Sequence, residues 1–510
     1  MQEIRKEERK KLEGFLAGDS AKLAIVYGRP GMGMKDFLDP LRKDSDCLFF
    51  RAYPTSQDME LALFASSIGM GSESPFDLRE ILDWISGQAQ KQAAGQNLLL
   101  VIESFSNFLA ASQDNDALVC HYLIDVWKDL PIKVLIEDES LLSLQKTILS
   151  RQSFWAKIDR IEISLSPLSF CEASSFFRGL SWPDALLLYG ICGGIPEVLK
   201  EWMYDMPSDL RPMGEADIGS DLAMTDPSVQ KKNMTSLRTS DWISLVEKFF
   251  DPYTRKAAHP QVILREELRE PAFYNRLLTA MASGRKRVGQ LSLETGKSKD
   301  IVAPYLNTLI RLGLVEKERP LTEKGNQRKS RYSLVNTMDL FYYRYLVPHY
   351  DLLVKGEYQK IWEEVFLLDR SAFEKTVFER IAGQFLCDPK NGLPFLADEI
   401  GGWWEYARMR YGSKKMGDSE IKESFDLIGN GSWQGKKMQA FCRISFDEKP
   451  VDVREIKGLI ALSRRLSKDG KKFYLVFSRT GFEENARTAA SAIPEIILLT
   501  VSETMEKLLK

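Results

Sequence analysis

Histidine is scarce in this chain, with three residues in 510, and its six cysteines include no C-x-x-C pair. A structural zinc site needs clustered Cys and His ligands, and a disulfide framework needs a short, cysteine-dense chain, so neither is indicated. Cys47, Cys120, Cys171, Cys192, Cys387 and Cys442 read as dispersed thiols in a reducing compartment. Long apolar runs are missing too. No uninterrupted stretch is long enough to span a bilayer, and the start, Met1-Gln-Glu-Ile-Arg-Lys-Glu-Glu-Arg9, lacks the apolar segment of a secretory signal. The expected location is cytoplasmic, with no membrane partner. Nor is there an excess of one charge: 70 Lys and Arg against 72 Asp and Glu leave a formal charge of −2. Nothing draws the whole molecule to polyanions, so any nucleic-acid surface has to be local.

What is present is length and alternation. A chain of 510 residues exceeds one ordinary core and implies about three domains of roughly 100–200 residues each. Short strand-like runs, Leu23–Tyr27, Cys47–Phe50, Leu98–Ile102, Ile132–Ile136 and Ile161–Leu165, alternate with helical patterns such as Met59–Ile68, Asp77–Ala89 and Leu118–Leu130. That order predicts an α/β fold, a doubly wound parallel sheet with ligands at the carboxyl ends of its strands.

Gly28-Arg29-Pro30-Gly31-Met32-Gly33-Met34-Lys35-Asp36 follows the first of these runs and leads into amphipathic sequence. Strand, glycine loop, helix is the order of the phosphate-binding loop G-x-x-x-x-G-K-[ST]. There, backbone N–H groups hold phosphate, the lysine reaches the outer phosphates and the hydroxyl binds magnesium. Gly28 and Gly33 have the required separation, and residues 28–36 are the candidate phosphate-binding set. The two side-chain positions depart from the pattern, because Met34 stands in the lysine slot and Lys35 in the hydroxyl slot. One residue along a helix rotates a side chain by about 100°, so Lys35 is expected to face solvent.

After the third run, Glu103 is the candidate magnesium ligand, followed by Ser104 where a water-polarising glutamate belongs. A serine without an activating partner is no general base at neutral pH. After the fourth run come Glu137, Asp138 and Glu139. Such a charge run is ordinarily a solvated loop; facing a pocket without a cation, it would oppose phosphate.

Met203–Thr239 loses periodicity and reads as a linker or loosely packed helices. Phe273–Ala282, Val288–Gly296 and Ile301–Leu312 then form three helical patterns, followed by a polar hairpin to Leu334. This predicts a winged helix-turn-helix. Arg285, Lys286, Arg287, Lys297, Lys299, Lys324, Arg328, Lys329 and Arg331 give it a local positive excess and are candidate DNA phosphate contacts. The alternative is a solvated basic face on a packing module, because this fold does not by itself establish function.

Arg5-x-x-Glu8 with Leu12, the Val-Tyr-Gly-Arg29 glycine loop, Leu165-Ser-Pro-Leu-Ser-Phe170 and Gly193-Gly-Ile-Pro-Glu197 occur in an order that resembles the archaeal-type P-loop ATPases. That family is related to the AAA and STAND ATPases and is also common in bacteria. The resemblance implies an ATPase-like domain over 1–202, with the Gly-Gly-x-Pro turn in a helical lid beside the nucleotide. It implies a linker or helical segment over 203–263, a winged helix domain over 264–350 and an α/β domain similar to restriction endonucleases over 351–510. Leu264–Pro271 and Asp339–Pro348 extend the likeness through the middle of the chain.

In the endonuclease-like domain a helix glutamate, a strand aspartate and a Glu-x-Lys strand gather a metal. Glu374 and Asp426 match the first two positions, Gly401-Gly-Trp-Trp404 and Phe477–Phe482 fit the domain, and Phe441-Cys-Arg443 replaces the third. Phe441 supplies no oxygen ligand, so nuclease activity is not expected. Phe154–Lys157 departs as well, where an arginine-bearing turn is usual. The implied protein is a degenerate ATPase-family member with ATP as its cofactor and magnesium poorly supported. It hydrolyses ATP slowly or not at all and acts as a regulator associated with DNA, with protein or with further copies of itself. The alternatives are an active NTP-dependent switch in which Glu103 holds magnesium, and a structural interaction scaffold.

Overall fold

The computed structural model describes all residues except 1–3, 19–20, 44–46, 72–76, 93–95, 113, 206–235, 255, 324–328, 407–409, 412–413, 416–420, 467–469 and 510. Strands β1 (Leu23–Gly28), β2 (Cys47–Arg51), β3 (Leu98–Glu103), β4 (Ile132–Asp138) and β5 (Arg160–Leu165) form a sheet in the order β2-β3-β4-β1-β5. Every pairing is parallel. The runs of the inner strands β1, β3 and β4 are nearly continuous in burial because both faces are covered, whereas the edge strand β5 exposes Glu162 and Ser164. Leu23 and Ile25 join one buried cluster, with Leu100, Ile102, Val134 and Ile136. Ala24 and Val26 join another on the opposite face, with Val101, Leu135 and Ile163. This arrangement fits a P-loop α/β fold.

From β1 the chain travels to β2 at the far edge, whereas β4 returns past β1 to β5. Connections diverging at the carboxyl ends of adjacent strands open the crevice in which α/β sheets bind ligands. The register sets Val26 beside Glu137 and Tyr27 beside Asp138, and it sets Ile102 beside Ile136. Glu103 and Glu137 therefore meet Gly28 at one end of the sheet.

The helix Trp182–Cys192 is buried from Asp184 through Cys192. It lies between this unit and the helix Leu367–Cys387, so closely that a Cβ on Gly190 would stand 2.7 Å from Val377 Cγ2. Part of the expected linker is packed structure. The helix Thr239–Phe250 buries Trp242, Leu245, Val246, Phe249 and Phe250, and Trp242 stacks between Trp202 and Trp362. Residues 206–235 lie outside the described residues.

Helices Pro271–Ala282, Val288–Thr295 and Lys299–Arg311 share a core of Leu277, Leu278, Leu291, Val302, Leu306 and Leu309. They lead into an antiparallel pair, β6 (Val315–Glu318) with β7 (Arg331–Leu334). The last part holds β8 (Leu396–Tyr406), a small pair β9 (Arg410–Tyr411) and β10 (Lys414–Lys415), then β11 (Ile421–Trp433), β12 (Lys436–Ser445), β13 (Lys471–Ser478) and β14 (Ile496–Thr500). Its main sheet runs β14-β13-β12-β11-β8, parallel through β12, β13 and β14 and antiparallel beyond. Phe378 and Phe385 of the helix Leu367–Cys387 pack on one face, and Ile456 and Leu459 of the helix Val453–Leu466 on the other.

Candidate functional site

The glycine loop is shaped by close approach. A Cβ on Gly28 would lie 2.6 Å from the carbonyl oxygen of Leu165 on β5, so the loop leaves β1 where only glycine fits. Gly31 and Gly33 have φ of +89° and +76°, the left-handed region that glycine enters without penalty. A Cβ on Gly31 would meet Ala258 Cβ at 2.7 Å and Ile195 Cγ2 at 3.1 Å. The Gly31 carbonyl accepts from the Glu197 N–H at 3.2 Å, which seats the Gly193-Gly-Ile-Pro turn against the loop. Arg5 braces the other side, donating through Nη2 to the Met32 and Ser166 carbonyls, each at 2.7 Å.

Arg29 turns inward. Its Nη1 pairs with Asp339 Oδ2 at 3.1 Å, and both side chains are buried. Asp339 lies on the short helix Thr337–Phe341, capped by Asn336, whose Oδ1 accepts from the Met338 N–H at 2.8 Å. Asn336 Nδ2 in turn donates to the Gly193 carbonyl at 2.8 Å. One short helix thus holds the glycine loop through Asp339 and the Gly-Gly turn through Asn336. Neither partner carries a local sequence signal; Asp339 is distinguished only by standing at the head of the Asp-Leu-Phe-Tyr-Tyr segment.

Met34 is 5% exposed and belongs to the apolar cluster with Phe37 and Leu38. Pro30 and Met32 are buried as well, while Lys35 and Asp36 are exposed, Asp36 paired with Lys200. Glu103 is buried and paired with Arg42. Ser104 takes a left-handed conformation, φ 53°, and donates its N–H to Glu137 Oε2 at 3.0 Å. Asp138 accepts from Ser106 Oγ at 3.1 Å, the Ser106 N–H, and the Ser140 N–H at 2.7 Å.

The reading of residues 137–139 as a solvated loop is therefore corrected for Glu137 and Asp138, while Glu139 lies in the bend after β4 and is half-buried. Glu137 and Asp138 end β4 and are buried, because neighbouring backbone N–H groups satisfy their oxygens. Burial, above all, pushes the Glu137 carboxyl up to about 8, with Glu139, Asp138 and Glu103 adding to it against the Ser104 hydrogen bond. Burial, Glu197 and Asp138 raise Glu139 to about 7, against Arg51. Near neutrality Glu137 keeps most of its proton, so the field against a phosphate is weaker than the count of acids implies.

Beside the loop lies a cavity of about 50 Å³ bounded by Glu197, Glu201, Lys256, Ala258, His259 and Met338. None of residues 28–36 lines it, so it is not the phosphate site of the loop. Among the described residues no three or more His, Cys, Asp or Glu side chains are placed to hold a metal ion. With Glu103 engaged by Arg42 and no hydroxyl at position 35, the residues present do not fit magnesium.

The structure separates the expected DNA contacts. Arg285 pairs with Glu318 at 3.0 Å and Glu379 at 3.1 Å, and Lys286 with Glu294 at 2.8 Å. Arg287 lies over the Tyr406 ring, Lys329 over Trp403, and Arg331 over Trp404 at 3.4 Å from its centroid. Lys297 and Lys299 are exposed; Lys324 and Arg328 fall outside the described residues. Most of the described cations of this unit are engaged by its own strands and by β8.

At the endonuclease-like positions, Glu374 is buried between Arg370 at 2.6 Å and Arg479 at 3.0 Å. Asp426 accepts from the Ile444 N–H at 2.8 Å and faces Lys375 and Arg443. Phe441 is buried among Phe425, Ile428 and Tyr474.

No family model matches the chain. An uncharacterized protein of Methanocaldococcus jannaschii is 22% identical over 404 residues, 78% of this chain and 81% of that protein. Among solved structures, the chain is similar to a Walker-type ATPase of Pyrococcus abyssi, with TM-score 0.45 and 15% identity over 66% of this chain and 95% of that one. It is also similar to the ORC2 protein of Aeropyrum pernix in its ADPNP–ADP complexes, with TM-score 0.39 and 13% identity over 71% and 96%. Likenesses this distant carry no argument about chemistry; the fold rests on the strand order and register above.

Proposed function

We propose that this chain is a P-loop ATPase-type protein whose site has lost its hydrolytic side chains and which works as a regulator rather than as an enzyme. One observation carries the reading. Met34, in the slot of the phosphate-binding lysine, is packed into the apolar core, while Lys35 faces solvent one position later. A thioether offers no charge to the outer phosphates, and a buried one cannot be exchanged for Lys35 without rotating the helix. The Arg42–Glu103 pair and Ser104 support the same reading, since the first engages the carboxylate meant for magnesium and the second leaves no water-polarising base. Within this proposal residues 264–350 serve as a winged helix domain and 351–510 as a catalytically silent endonuclease-like domain. Partners are DNA, protein or further copies of the chain.

Calorimetric titration with ATP, with and without magnesium, tests the proposal beside a Met34→Lys, Lys35→Thr variant. The expected result is weak or no binding and no turnover in wild type, with binding gained by the variant. ATP turnover by wild type that disappears in Glu103→Ala would sink it.

A further inference from the structure

The last sheet carries a cavity on the face and at the end away from Glu374 and Asp426. Lys437 and Gly470 place it at the starts of β12 and β13, whereas Arg443 and Arg479, beside Asp426 and Glu374, stand at their ends. Asn430 and Gln439 are opposite each other across β11 and β12, two residues along from the pair Ile428 and Phe441. They share the face of that pair, which is buried with Ile456 and Leu459; Asp426 instead faces Lys375 of the helix Leu367–Cys387. A bulge adjoins them. Asn430 is in register with Glu399 and Gly431 with Ala397, so Asp398 is the extra residue of β8, and both Asp398 and Glu399 line the cavity. The strands approach so closely there that a Cβ on Gly431 would stand 2.2 Å from the Leu396 carbonyl oxygen. The space enclosed is about 500 Å³, within the roughly 300–1,000 Å³ of small-molecule sites.

A relay of amides sets the polarity of its wall. Gln439 Nε2 donates to Asn430 Oδ1 at 3.1 Å, and Asn430 Nδ2 donates to Glu399 Oε2 at 3.4 Å. An ionised carboxylate only accepts, so Glu399 dictates which way both amides turn and leaves Gln439 Oε1 at the free end. That oxygen is buried without a donor; even Lys472, next to Gln439 in register on β13, does not supply one. Asp398 and Lys437 make no hydrogen bond or ion pair among the described residues, with each other or elsewhere, although both line the cavity.

We propose that this cavity binds a small zwitterion with a guanidinium at one end and a carboxylate at the other. The guanidinium N–H groups meet Asp398 and Gln439 Oε1, and the carboxylate meets Lys437. Three acceptor oxygens on two side chains call for a cation with several donors, and the guanidinium fork carries five. An unpaired carboxylate and an unpaired ammonium in one cavity call for opposite charges on one ligand. No residue of the glycine loop takes part, so this inference stands or falls apart from the nucleotide reading.

The test is calorimetric titration of the full chain with L-arginine, beside agmatine, which lacks the carboxylate, and L-citrulline, which lacks the positive charge. L-arginine is expected to bind, and the other two at least about tenfold more weakly, as loss of a charge-assisted hydrogen bond implies. Asp398→Asn is expected to weaken L-arginine about tenfold, and Lys437→Met to weaken L-arginine while leaving agmatine unchanged. Gln439→Met removes a buried acceptor that lacks a donor, so its urea midpoint should hold or rise while L-arginine binding falls, a combination that a merely structural glutamine does not produce. No heat from L-arginine with wild type overturns the proposal. So do equal affinities for the three compounds, and L-arginine binding unchanged in folded Asp398→Asn and Lys437→Met proteins.

Discussion

Arg29 and Asp339 form a charged pair with little access to water, their side chains 8% and 1% exposed. Desolvation offsets much of what such a pair gains, but removing one member strands the other. Asp339→Ala should therefore destabilise the protein by about 3–5 kcal/mol in urea titration, and Arg29→Met with Asp339→Leu by clearly less. Equal losses would mean that the pair is not desolvated as the structure shows. Glu137 gives a pH signature of its own. Its folded carboxyl titrates near 8, above the ordinary carboxylate range, so the folded state binds more protons than the unfolded one across that interval. The contribution of this group to stability is then fully present below the ordinary carboxylate pKa and is lost as pH rises toward 8. Glu137→Gln, which keeps an acceptor for Ser104, should flatten this decline; an identical pH profile in both proteins counts against the buried carboxyl. The glycines and Met34 were readable from spacing alone, since a loop motif is local. Asp339 was not, because a pairing across 310 positions leaves no periodic trace.

The inner strands of the first sheet were legible because burial on both faces writes a continuous apolar run, and the edge strand β5 because its buried Ile163 and Leu165 alternate with exposed Glu162 and Ser164; the structure extends the five runs by one or two residues at most. The acidic end of β4 was misread because a charge run resembles a loop until its hydrogen-bond donors are known. The short helix Thr337–Phe341 illustrates what an element can do beyond its own length. Its cap, Asn336, stands so near Gly193 that an added Cβ would lie 1.9 Å from Oδ1, at a position whose φ is already +64°. Gly193→Ala should cost at least about 1–3 kcal/mol from backbone strain, with the clash added. Asn336→Ala relieves the clash and leaves the strain, so the double variant should lose less than the sum of the singles. Strict additivity in denaturant titrations would place the two residues out of contact.

Composition implies about three domains for a chain of this length, yet the buried core does not break where the motifs do. One apolar cluster runs from Leu12 and Phe15 through Trp242, Leu306 and Tyr342 to Met505 and Leu508. Trp202, Trp242 and Trp362 stack at 6.1 and 5.9 Å across its middle. The antiparallel pair β6 and β7 is fastened to β8, where Arg331 covers Trp404 and the Trp404 indole donates to the Lys329 carbonyl at 3.1 Å. Parts joined by large apolar interfaces unfold together, whereas domains on linkers unfold in turn. Calorimetry should therefore show one main transition. Trp404→Ala removes a ring 0% exposed, with an expected loss of about 3–5 kcal/mol. Because that ring also covers Arg331, which pairs with Glu318 across β6 and β7, hydrogen exchange in the variant should rise in β6 and β7 as well as in β8. Faster exchange confined to β8 would show that the pair is held by its own three-helix core and merely rests on the last domain.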